Sequence, residues 1–327
     1  MVNKVMKKLN LLLWILISSN FLFSMEVEPK SLIPFMHCYQ HQGQVDSACF
    51  NKAGTEVLTI ESMGNNATLC IWANGENFQR IKVRNDYYCG IASFNQAETR
   101  IIVSDHISGN VLIYARDKSG VYALFSDTFE GFVCFNKKET KIVTRSFDRG
   151  KLCIRDADTE KELFTVLYEY PFVSACFNEE ETEVATMAKD GMLQVWDRNS
   201  AKELLRCKHD FPGLTGKSVS FNKQGTEILA CGASSVVYIW DRENKEMPIK
   251  LEHPNKVICA RFNSQGNEIC TMAIDGNIRV WDKKTGNIVA TFPAGSFFVN
   301  SLEWSTDGTK IVAAVGNRAY IWSRYAQ

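Results

Sequence analysis

The sequence is poor in the residues that most enzyme motifs require. It has five histidines in 327 residues, and neither His-Glu-x-x-His nor Gly-x-Ser-x-Gly occurs. Zincin-type metal hydrolysis and nucleophile-elbow chemistry therefore lack their motifs. Eleven cysteines are present, an odd number, but no Cys-x-x-Cys pair. That argues against zinc ribbons and thioredoxin-like exchange. Net charge is also lacking: Lys plus Arg is 37 and Asp plus Glu is 37. No basic stripe points to nucleic acid and no charge block forms a tail. What the chain does have is a 45% apolar composition, ample for a large core.

One apolar run stands at the start. Lys4, Lys7 and Lys8 precede Leu9–Ile17, and Ser18, Ser19 and Asn20 interrupt the run before Phe21–Ser24. A basic start, a short apolar stretch and a small terminal residue read as a secretory signal peptide over residues 1–24, cut near Ser24. The alternative is an uncleaved N-terminal anchor, and membrane contact is expected only in that case. The run falls short of the roughly 20 apolar residues a span needs. Residues 25–30 read as a polar lead-in, and residues 31–327 as one domain. The expected location is exported, secreted or periplasmic. Unpaired thiols sit awkwardly in an oxidising compartment unless strands bury them. Cys49, Cys134 and Cys176 each precede a recurring Phe, which suits a small apolar packing residue better than a disulfide set.

The rest of the chain keeps time. Asp275-Gly276-Asn277-Ile278-Arg279-Val280-Trp281-Asp282 is nearly repeated as Asp190-Gly191-Met192-Leu193-Gln194-Val195-Trp196-Asp197, with weaker copies ending at Trp72, Tyr114, Arg155, Trp240 and Trp322. Successive anchors are 42, 41, 41, 44, 41 and 41 residues apart. A second landmark, Phe-Asn followed by a turn and an apolar strand, recurs at Phe50, Phe94, Phe135, Phe177, Phe221, Phe262 and, as Trp-Ser, at Trp304. Two landmarks in step over seven copies mark a repeat array. Within a copy the pattern is strand, turn, strand, turn, strand, loop, strand; in the sixth, Val257–Phe262, Glu268–Met272 and Ile278–Trp281 are the first three. Glu98, Glu139 and Glu181 stand where other copies have Gly at the end of the first turn. A type I turn there would not demand positive φ.

A period near forty closed by Trp-Asp resembles the WD40-repeat family, over residues 31–327. The resemblance implies an all-β, seven-bladed β-propeller with four strands per blade. The last copy stops five residues after Trp322. Residues 31–40 stand in the fourth-strand place ahead of the first copy, so this N-terminal strand is expected to join the last blade and close the ring. The resemblance further implies a hydrogen-bonded set in the sixth copy: Trp281 to Thr271, Thr271 to His253 and His253 to Asp275. The first copy carries His41, Thr59, Asn66 and Trp72. The fourth keeps Thr186, Asp190 and Trp196 but has Tyr168 in the histidine place. A buried set recurring in several blades reads as a brace, not a catalytic relay.

Gly213-Leu214-Thr215-Gly216-Lys217-Ser218 imitates the tail of a phosphate loop, but Phe211 stands where its first glycine belongs, and the segment leads into a strand. His37, Cys38 and His41 do not converge on a strand as metal ligands would on a helix. No cofactor and no metal are expected. The loops ahead of the first strands are rich in aromatics: Tyr87 and Tyr88, Phe129, Tyr170, Phe211, and Phe297 with Phe298. In WD40 proteins these loops share one rim, where clustered aromatics act as partner anchors; the competing reading is that they plug the blade tops. The expectation is a monomeric, non-enzymatic scaffold that binds a protein or peptide and no nucleic acid. The alternative is an exported propeller hydrolase or lyase with its site at the channel mouth, for which Asp86, Asp127, Glu130 and Asp210 offer scattered carboxylates.

Overall fold

The computed structural model describes residues 35–324 apart from 65, 74–75, 84–89, 96, 106–109, 121, 131–133, 137–140, 147–150, 157–158, 160, 168–171, 189, 209–217, 233, 245–247 and 296–298. Among the described residues every element is a β-strand, and the strands form seven four-stranded antiparallel sheets. Sheets 1 to 6 span residues 44–82, 90–130, 134–167, 172–208, 218–252 and 257–293, each with its strands in chain order. Sheet 7 takes three strands from residues 299–323 and its fourth from Phe35–Gln40. That strand pairs with Arg318–Ser323, with Tyr39 opposite Ala319 and Gln40 opposite Arg318. The expected pairing of the N-terminal strand with the last repeat is therefore seen for residues 35–40; residues 31–34, Pro34 among them, lie outside the described residues.

The core lies between sheets. Leu302, Ile311 and Trp322 of sheet 7 pack with Met272, Ile278 and Phe292 of sheet 6, and Tyr39, Val312 and Ile321 of sheet 7 pack with Val45, Ala48 and Val57 of sheet 1. A sheet covered on both faces buries nearly every side chain of its middle strands. Glu268–Ala273 is buried after its first residue, so it reads as an apolar run without alternation.

Serines stitch the first strands together. Ser47 Oγ accepts from Ala92 N at 2.8 Å, Ser174 Oγ from Val219 N at 3.2 Å, and Ser218 Oγ from Ala260 N at 3.4 Å. Ser301 Oγ of sheet 7 accepts from Ala48 N of sheet 1 at 2.8 Å. Each serine lies three residues before its repeat's Phe or Trp, so the last-to-first contact copies the others.

The Phe-Asn landmark also gains a physical reason. Each repeat's asparagine is buried and folds its own turn: Asn51 Oδ1 accepts from Thr55 N and Glu56 N, both at 2.9 Å. Asn178 and Asn263 do the same, and Ser305 substitutes its hydroxyl, accepting from Lys310 N at 2.9 Å. The end of this turn does require positive φ, contrary to the type I expectation. Gly54, Gly225, Gly266 and Gly308 have φ of 68–72°, and Glu98 and Glu181 are held at 58° and 59°. Glu139 lies outside the described residues. A non-glycine residue there costs about 1–2 kcal/mol, and both glutamates offset it by reaching to the preceding sheet. Glu98 accepts from Ala53 N at 3.1 Å and Asn51 Nδ2 at 3.3 Å, and Glu181 from Asn136 Nδ2 at 2.7 Å.

Ion pairs tie the sheets again at the outer turns. Arg116–Glu56, Arg242–Glu183, Lys283–Glu227 and Arg324–Glu268 lie at 3.1, 2.8, 2.7 and 2.7 Å. In each, a cation at the end of a third strand or just past it meets a glutamate opening the second strand of the sheet before it.

Candidate functional site

Three rows of residues cross their sheets in the same register: Ala48–Thr59–Cys70–Arg80 in sheet 1, Ala175–Thr186–Gln194–Arg206 in sheet 4 and Ala260–Thr271–Arg279–Thr291 in sheet 6. The central threonine is fully buried in all three, so its hydroxyl serves whatever polar group lies beside it.

In sheet 6 that group is the expected pair. Trp281 Nε1 donates to Thr271 Oγ1 at 2.8 Å, and His253 Nε2 lies 2.8 Å from the same oxygen. His253 Nδ1 lies 3.1 Å from the Leu251 carbonyl. A carbonyl only accepts, which assigns the proton to Nδ1 and makes the Thr271 hydroxyl the donor to Nε2. The chain therefore runs Trp281, Thr271, His253 and ends on backbone. Asp275, expected on His253, pairs with Arg279 instead, at 2.6 and 3.2 Å. A charged guanidinium offers two parallel bonds and outcompetes a neutral imidazole for the carboxylate. Burial, helped by the Arg279 charge, lowers the His253 pKa to about 4. The ring is neutral at pH 7 and has no carboxylate behind it, which suits a brace and not a relay.

Sheet 4 keeps the Trp196-to-Thr186 bond at 3.3 Å, and Gln194 Nε2 donates to Glu203 at 2.6 Å. Tyr168 lies outside the described residues.

Sheet 1 has the same letters and different wiring. Trp72 Nε1 donates to Thr59 Oγ1 at 2.8 Å, but His41 turns its Nδ1 to Glu61 Oε2 at 3.1 Å. Its Nε2 is buried without a hydrogen-bond partner. Asn66, in the place of Asp275, is exposed at the start of the third strand. Glu61 is 5% exposed and also accepts from Gln42 N at 3.1 Å and from Arg80. Burial acts to raise its pKa, but His41, the backbone N–H groups and Arg80 outweigh this and hold it below the ordinary value. Burial lowers the pKa of His41, against the pull of Glu61, and pushes the Cys70 thiol up to about 11. The sequence reading missed Glu61, Arg80 and Cys70. The signal was there: two residues after the row threonine, Glu61 stands where sheets 4 and 6 have Ala188 and Ala273.

The aromatic set falls mostly beyond the description. Tyr87, Tyr88, Tyr170, Phe211, Phe297 and Phe298 lie outside the described residues, as do residues 213–217 of the phosphate-loop mimic; Ser218 opens a strand, not a helix. Phe129, expected in a loop, is in the fourth strand of sheet 2, opposite Val111. That strand runs nine residues and takes up the length assigned to the loop. Cys49 and Cys176 are free and half-buried.

Repeated four-stranded antiparallel sheets, stitched along their first strands, fit a β-propeller. A family model, WD domain, G-beta repeat, matches residues 247–282 and 286–323, so the chain carries WD40 repeats there. No curated protein matches it. WD40 repeats generally mediate protein–protein interaction, and proteins built from them are typically non-enzymatic scaffolds.

Proposed function

We propose that the seven sheets are the blades of one closed propeller, completed by the N-terminal strand, and that this exported, monomeric protein holds a protein or peptide partner on one rim. The Ser301–Ala48 stitch supports closure, since it repeats the Ser47–Ala92 stitch. One observation carries the function. The strand ends that bracket residues 84–89, 168–171, 209–217 and 296–298 are in every case the end of a fourth strand and the start of the next first strand. They belong to the same end of successive sheets, and every one of these stretches contains Tyr or Phe. Aromatic anchors on a rigid face need no chemistry from the chain to bind. Residues 1–24 act as the export signal in this reading.

The test selects a peptide ligand by display against residues 25–327 and measures its affinity for a variant with Tyr87, Tyr88, Phe297 and Phe298 all changed to Ala. Binding should weaken at least about a hundredfold, the scale of a few lost anchors, with melting temperature nearly unchanged. A collapse of stability would mean that the rings plug the blade tops and the partner site is elsewhere.

A further inference from the structure

Sheet 1 differs from sheets 4 and 6 by a paired exchange. Where they carry alanine and a long polar side chain, Ala188 with Gln194 and Ala273 with Arg279, sheet 1 carries Glu61 and Cys70. The exchange puts a carboxylate on the second strand and a thiol on the third, beside His41. Nitrogen, oxygen and sulfur donors of the three residues lie within 4.8 Å of one another, and all three residues are buried.

We propose that His41, Glu61 and Cys70 bind a divalent transition-metal ion, with zinc the best match to the donor set. Zinc takes imidazole, carboxylate and thiolate in tetrahedral geometry, where two ligands about 2.0 Å from the ion lie about 3.3 Å apart. His41 Nδ1 and Glu61 Oε2 are 3.1 Å apart. The wider separations close by rotation of the Glu61 and Cys70 side chains. His41 Nε2, unlike His253 Nε2, finds no partner in the protein, so His41 is not tied into the threonine brace. Arg80 holds Glu61 by the other oxygen, Oε1, as the supporting shell of a carboxylate ligand does. His41 is already neutral, with the proton that Glu61 accepts on Nδ1, and Glu61 is already ionised. Binding moves the His41 proton from Nδ1 to Nε2, forms three metal–ligand bonds, breaks the Cys70 S–H bond and releases the thiol proton to solvent; no electron moves.

The experiment titrates the purified chain with Co²⁺ and follows the thiolate-to-cobalt charge-transfer band, then displaces the cobalt with Zn²⁺. One equivalent should saturate the band. Cys70→Ser should abolish it, Glu61→Gln should weaken binding at least tenfold, and Cys231→Ser, a buried cysteine elsewhere, should keep it. No band, or a band that survives Cys70→Ser, overturns the site. If Cys70→Ser does not fold, melting of the unmutated chain decides: a zinc-dependent rise that Glu61→Gln loses supports the site, and no rise at a hundredfold zinc excess overturns it.

Discussion

Sheets 1 and 6 hold histidine, threonine and tryptophan at matching positions, yet only sheet 6 joins all three. In sheet 6 the threonine hydroxyl accepts from Trp281 and reaches His253. In sheet 1 it accepts from Trp72, while His41 is drawn to Glu61. The difference lies in one neighbouring position, Ala273 against Glu61. A buried imidazole takes the strongest acceptor within reach, and an ionised carboxylate outranks a hydroxyl. The conserved-looking letters of a repeat thus do not fix a bond; the residues beside them do.

The largest effect should come from removing the shared hydroxyl. Thr271→Val leaves both the Trp281 N–H and His253 Nε2 buried and unsatisfied. At about 1–3 kcal/mol for each such group, the expected loss is about 4 kcal/mol by chemical denaturation. Thr59→Val strands only the Trp72 N–H and should cost about half as much. Equal losses would mean that the two braces are wired alike.

Acid should come next. The folded pKa of His253 is near 4 against an ordinary 6.5, so the unfolded chain binds the extra proton first. The stability tied to its neutral form is whole above pH 6.5, falls as pH drops from 6.5 to about 4, and then levels off. The integrated loss is about 3 kcal/mol. His253→Gln should flatten that part of the stability-against-pH curve, and an unchanged slope would assign the titration to other groups.

The smallest effect concerns the outer clamps. Arg324→Ala removes an ion pair that leaves 17% and 13% of its two side chains exposed, and should cost no more than about 1 kcal/mol by thermal melting.

Much of the fold was legible because its signals are local. The period placed all seven third strands. In the sixth repeat the strands expected at Val257–Phe262 and Glu268–Met272 are found at Val257–Phe262 and Glu268–Ala273. The turn after Phe-Asn was legible too, but not its handedness. Glu98 and Glu181 take positive φ because each side chain finds partners in the sheet before it, and no reading of the turn itself reveals those partners. At the braces, Trp281 to Thr271 to His253 followed from the resemblance, whereas Asp275 on Arg279 and His41 on Glu61 did not.

The sequence by itself determined the repeat, its strands and the need of each buried indole for an acceptor, because these depend on residue type and short spacing. Only the tertiary structure decided which partner each polar group takes. His41 meets Glu61 from twenty residues away and Arg324 meets Glu268 from fifty-six. Such choices turn on distances between side chains on different strands and on the relative strength of competing acceptors, and packing sets both.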